Sequence, residues 1–106
     1  MENNKNVYNA DEMKKQLYKV IASLKTPEEV EMFLEDLCTC KEIDYMAQRV
    51  EAARLMLDGA TYQQTIGQVG ISSATLSRVN SCILYGNGGY NKILATYLNE
   101  ENSKGN

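Results

Sequence analysis

The stretch "TYQQTIGQVGISSATLSRVNSCIL", residues 61–84, decides the fold. It reads as a short helix, a tight turn and a second helix. Thr61 stands where an N-cap belongs, and Gln64 lies three residues on to close a capping box. Tyr62, Ile66 and Val69 fall along one side of the first helix, and Gly70 supplies the left-handed residue that ends it. Ser72 or Ser73 then caps a second helix running to about Leu84. At 100° per residue, Leu76, Val79 and Ile83 cluster within about 60° and face a core. Ala74, Ser77, Arg78 and Ser81 point the other way, with Ser73 at the exposed start.

Such a flank suits a helix that enters a groove of duplex DNA. Small side chains permit close approach to bases, hydroxyls donate or accept, and the backbone N–H groups of the first turn can meet phosphate. Arg78 adds one charge-assisted contact. Plain packing is the competing reading, because two short amphipathic helices joined by glycine also occur in ordinary bundles. One position is off-pattern: helix-turn-helix units usually carry alanine where this chain has Ile66.

Working outward, the same punctuation recurs. Residues 11–24 place Leu17, Val20, Ile21 and Leu24 on one stripe. "TPEE" (26–29) offers Thr26 as N-cap, the only proline at the first helical position and Glu29 to close the box, ahead of Val30, Phe33, Leu34 and Leu37. "TCKE" (39–42) repeats the device and opens a long helix to about Leu57, stopped by Gly59. "YGNGGYN" (85–91) reads as a loop, and Ile93, Leu94, Tyr97 and Leu98 stripe a last helix. The expectation is an all-α chain of about six helices: one domain over 11–98, with flexible tails at 1–10 and 99–106. In the long helix Ile43, Met46, Ala47, Val50, Ala53 and Leu57 form one stripe, yet Tyr45, Ala52, Leu55 and Met56 spread apolar area around the cylinder. A helix apolar on several sides is buried on several sides, which predicts a homodimer with this helix in the interface.

The net charge is −3, but its distribution is uneven. Residues 1–60 hold twelve acids and eight bases, whereas residues 61–98 hold no acid and only Arg78 and Lys92 as bases. An acid-free window within an acidic chain reads either as a surface that tolerates phosphate or as a polar, uncharged packing region. The few cations predict weak nonspecific DNA binding with a shallow salt dependence. No apolar run approaches the ~20 residues that span a bilayer, and "MENNKNVYNA" lacks the apolar core of a signal peptide. A cytoplasmic protein without membrane association is expected. Cys38, Cys40 and Cys82 read as ordinary thiols, and with no histidine in the chain they make a poor zinc set. No metal is expected. With no Gly-rich phosphate loop and no nucleophile beside a plausible base, no enzyme is expected either.

Residues 36–90 carry a family resemblance. The phrases "LCT", "MAQR", "GATYQQ", "SSATLSRVN" and "YGNGGY" make the chain similar to the Trp repressor superfamily, and specifically to its YerC/YecD branch, across about 20–100. The resemblance implies an intertwined, all-helical homodimer with one helix-turn-helix per subunit, acting as a bacterial transcriptional regulator on a roughly palindromic operator. The family's groove-reading positions fall at Gln63, Ser73, Ala74 and Ser77. With the capping turn and the arginine, the candidate DNA-binding set is Gln63, Ser72, Ser73, Ala74, Thr75, Ser77 and Arg78. Ile66 replaces the lysine that the Trp repressor carries on the first helix.

The resemblance also implies a corepressor pocket for an amino acid, held by a threonine and two arginines at Thr39, Arg49 and Arg78. Val79 stands where the family has glycine, narrowing the pocket, and Cys82 stands where it has a ligand-binding serine. Each retained residue has a plainer role beside this one: Thr39 as an N-cap, Arg49 as an ion-pair partner of Glu42, Asp44 or Glu51, and Arg78 as a phosphate contact. No other cofactor is implied. The alternative to a DNA-binding regulator is a helical protein-interaction module whose helix-turn-helix no longer meets DNA.

Overall fold

Four of the helices begin where a side chain accepts from a first-turn amide. In this computed structural model, which describes residues 9–104, the helices are α1 (Ala10–Ser23), α2 (Pro27–Leu37), α3 (Cys40–Leu57), α4 (Tyr62–Val69), α5 (Ser73–Tyr85) and α6 (Ala95–Lys104), the last entered through a π-helical stretch, Gly89–Leu94. The chain is all-α, with no strand among the described residues. Its internal contacts divide it into two compact units, Met1–Thr39 and Cys40–Asn106.

In the first unit, Asn9 caps α1 by accepting from the Glu12 amide at 3.2 Å. Thr26 caps α2 by accepting from the Glu29 amide at 3.1 Å. The expected return bond lands one residue early, because Glu29 Oε1 accepts from the Lys25 amide at 2.7 Å. The apolar stripes are only half-covered: Leu17 and Leu24, with Val30, Phe33 and Leu34, are half-buried, while Val20, Ile21 and Leu37 are exposed. Leu37, expected inward, sits in the last turn of α2.

The second unit holds the core. Ala52, Ala53, Ile71, Leu76 and Val79 are buried together, with Met56, Ile66, Val69, Ile83, Tyr90 and Leu94 packed around them. The central rod is α3, against which α4, α5 and α6 all pack. Its buried residues are Ala52, Ala53 and Leu55, not the whole expected stripe. Ala47 and Val50 face solvent, and Ile43 and Met46 are half-covered. The buried residues all lie in the C-terminal half of α3.

Three boundaries depart from expectation. The loop assigned to 85–91 is only a turn at Gly86–Gly88, since helix resumes at Gly89. There the Gly88 carbonyl accepts from Lys92 N (2.8 Å) and Ile93 N (3.2 Å), an i→i+5 bond that widens the first turn. The segment 99–104, assigned to a flexible tail, continues α6. Lys104 lies in its last turn, where a cation offsets the helix dipole, and meets Glu101 at 3.7 Å. Of the N-terminal tail assigned to 1–10, residues 1–8 lie outside those described, and Asn9 and Ala10 belong to the start of α1.

Candidate nucleic-acid interface

Local chemistry positions α4 and α5 with little freedom. Thr61 Oγ1 accepts from the Gln64 amide at 3.1 Å, and Gln64 Oε1 accepts from the Thr61 amide at 2.9 Å, a reciprocal capping box. The helix closes on Gly70 at φ +77°, whose amide reaches the Ile66 carbonyl at 2.9 Å. Ile71 then drops into the core at 2 % exposure and anchors the turn. Ser72 caps α5 by accepting from the Thr75 amide at 3.2 Å.

Burial separates the two flanks of α5. Leu76 and Val79 are buried and Ile83 is half-buried, whereas Ser73, Ala74, Ser77, Arg78 and Ser81 are exposed. Ser72, ahead of the helix, and Gln63, in the first turn of α4, are exposed as well, and Thr75 is half-buried. Six of the seven candidate contact residues thus reach solvent, and Thr75 lies partly beneath them. Among the described residues no carboxylate pairs with Arg78. The positive end of α5 opens beside Ser73 and Ala74, where first-turn amides lack intrahelical partners.

On α4 the packing differs from the wheel. Tyr62 is exposed, Ile66 and Val69 are half-buried, and the fully buried residue is Thr65. A polar side chain sits there without an orphaned hydroxyl because Thr65 Oγ1 donates to the Thr61 carbonyl at 2.9 Å. Ile66 packs on the core, so the position that bears a lysine in the Trp repressor contributes apolar packing here.

Two of the candidate ligand residues, Arg49 and Cys82, line different cavities. Arg49 is half-buried and lines a space of about 480 Å³ with Tyr45, Gln48, Gly70, Ser72 and Thr75. Cys82 lines a different, apolar groove of about 670 Å³ with Val50, Tyr90, Ile93, Leu94 and Tyr97. Arg78 lines neither. Glu51, one of the ion-pair partners considered for Arg49, is engaged instead by Arg54. Nε and Nη2 of that arginine meet the two carboxylate oxygens at 2.8 Å each. These hydrogen bonds hold the Glu51 carboxyl below the usual carboxylate range, against desolvation, and push the Arg54 guanidinium up. The three cysteines are free thiols. Among the described residues no group of three or more His, Cys, Asp or Glu is placed to hold a metal ion.

A capped helix, a left-handed glycine turn and a second helix with a bare outer flank define a helix-turn-helix unit built on a long central helix. The family model for the Trp repressor protein matches residues 12–98, and the chain belongs to that family. It is 47% identical over 79 residues to the uncharacterised protein YerC of Bacillus subtilis strain 168, covering 74% of this chain and 76% of YerC. A crystal structure of a TrpR-like protein from Eubacterium eligens ATCC 27750 superposes with a TM-score of 0.74 at 40% identity, covering 78% of this chain and 86% of that one. A proposed Trp repressor from Staphylococcus aureus gives a TM-score of 0.77 at 32% identity over 92% of this chain and 95% of its own. Among the described residues no helix is long and apolar enough to cross a membrane.

Proposed function

We propose that this protein is a DNA-binding transcriptional regulator that works as a homodimer and reads a roughly palindromic operator with α5. The observation that carries the reading is the exposure of Ser73, Ala74, Ser77 and Arg78 beside the burial of Leu76 and Val79. The helix is held from behind and bare in front, as a groove-reading element must be. In this reading Ala74 and Ser77 approach base edges, and the α5 N-terminus with Ser72 and Ser73 meets phosphate. Thr75 stiffens the cap, Arg78 supplies a charged contact, and Gln63 reaches from α4.

The dimer is supported by apolar surface that one subunit leaves uncovered. Tyr45 is 54% and Val50 47% exposed in mid-α3, and Ile93 is 74% exposed at the entry to α6. A two-fold pair would present its reading helices about 34 Å apart, one turn of B-DNA, and so match half-sites on one face of the duplex. The role is one of binding, not catalysis, and its place of work is where bacterial DNA is, the cytoplasm.

A small-molecule effector is a second element of the reading, favoured by the Arg49 cavity. That space touches Gly70, Ser72 and Thr75, so an amino-acid-like ligand there would bear on the turn that aims α5 and would bias its orientation by differential affinity.

Selection of bound duplexes from a random pool, with and without an amino-acid mixture, tests both elements. An enriched palindrome supports the regulator, and a changed yield or spacing with the mixture supports the effector. A folded protein that retains no duplex at low or moderate salt would favour the interaction module, to which the apolar Ile66 points.

A further inference from the structure

The motif "YGNGGY" (85–90) contributes nothing to the reading flank, yet it joins that flank to the next helix. We propose that Asn91 is a positioning residue: its side-chain amide latches the end of α5 to the π-helical entry of α6 and thereby fixes the angle at which α5 is presented. This rests on the proposed reading of DNA by a dimer.

Three independent features converge on the junction. The last carbonyls of a helix lack intrahelical partners. At the end of α5, the Cys82 carbonyl accepts from the Gly86 amide at 2.9 Å, and the Ile83 carbonyl accepts from Asn91 Nδ2, eight residues away. Gly86 is drawn so close that a Cβ there would lie 2.4 Å from the Cys82 carbonyl oxygen. Gly88 turns the chain at φ +98° and offers its carbonyl to both Lys92 and Ile93. The turn therefore has only three residues, one of which permits no side chain and another a left-handed backbone.

The covalent turn limits the approach of the two helices but leaves rotation at Gly86 and Gly88 open, because glycine is the residue with the widest backbone range. The Asn91 bond removes that freedom by tying a last-turn carbonyl of α5, that of Ile83, to the first turns of the following helix. The π-helical stretch packs on both α3 and α5, so a residue within it has a fixed frame from which to hold α5. Asn91 itself is exposed, which separates the latch from the core: its loss alters geometry without opening a cavity. Asparagine suits the task because the amide donates, whereas the isosteric aspartate only accepts and would repel the Ile83 carbonyl.

The test compares wild type with Asn91→Asp and Asn91→Ala. Folding is followed by circular dichroism, DNA preference by selection from a random pool, and local opening by amide hydrogen exchange over residues 83–94. Both variants are expected to fold, to accept a broader range of half-site spacings, and to bind the wild-type operator about tenfold more weakly. Amide exchange is expected to rise across 86–94 and stay unchanged in α3. Variants that select the same spacing with wild-type affinity would overturn the latch, as would loss of the folded state in both. If wild type itself selects no duplex, the DNA reading fails separately. Exchange then decides the latch alone: faster exchange at 86–94 in Asn91→Asp supports it, and unchanged exchange overturns it.

Discussion

The hydroxyls of Ser72 and Thr75 lock the first turn of α5. Ser72 Oγ accepts from the Thr75 amide at 3.2 Å and donates to Thr75 Oγ1 at 2.9 Å. One side chain thus caps the helix and orients the hydroxyl beneath the exposed flank of α5. Replacing an N-cap serine with alanine costs about 1 kcal/mol. Ser72→Ala should lower the urea midpoint accordingly, and Ser72→Asp should recover most of the loss.

Leu76 and Ser77 are sequence neighbours with opposite duties. Leu76 is fully buried among Ala52, Ala53, Ile71 and Val79, whereas Ser77 is exposed. Leu76→Ala should cost about 2–5 kcal/mol through lost contact and a residual cavity, read as a large fall in thermal midpoint. Ser77→Glu should change stability by no more than about 0.5 kcal/mol, while its carboxylate abolishes specific duplex binding in a mobility-shift assay. Unchanged affinity in that variant would mean that the reading flank lies elsewhere.

Gly70 has φ +77° and nothing within 4 Å of a hypothetical Cβ. A side chain there meets no neighbour, so the cost of substitution is conformational alone. Gly70→Ala should destabilise by about 1–2 kcal/mol, the penalty of left-handed backbone for an L-residue. Gly70→Asn should cost less and Gly70→Val more. Equal denaturation midpoints for the three would refute this account of the turn.

Glu51 and Arg54 give a pH signature. Hydrogen bonding by Arg54 lowers the folded-state pKa of Glu51. The associated stability is therefore present above the unfolded-state value and fades as pH falls through the lowered folded value. Both side chains are partly exposed, so the effect is small and screened by salt. A carboxyl NMR titration should find Glu51 below the ordinary glutamate range, and Arg54→Met should raise it.

The local devices were the legible part of the fold. Thr26, Thr61 and Gly70 act through residues within four positions, so their spacing predicts the caps that form, although the Glu29 return bond shifts to Lys25. The outward flank of α5 was equally accessible, because 100° steps separate Leu76 and Val79 from Ala74 and Ser77. Thr65 escaped notice since a polar residue enters the core only when its hydroxyl finds a local acceptor, and the Thr61 carbonyl is invisible to a hydropathy pattern. Ile71 escaped because a single apolar residue in a turn has no period. The glycines at 86, 88 and 89 suggested loop, while the carbonyl of Gly88 and the amide of Asn91 hold helix there. Around the candidate pocket, residue types at Arg49 and Cys82 were readable, but their separation into two cavities depends on how α3 lies against α5 and α6. No spacing along the chain encodes that.

Ala52 and Ala53 are adjacent, both wholly buried, and about 100° apart around α3. At these two positions the rod meets its neighbours through methyl groups alone. Enlarging either residue would act as a shim, displacing the helix-turn-helix from its bearing instead of denting it locally. Such positions are natural sources of temperature-sensitive alleles, in which the motif keeps its internal shape and loses its seat on warming.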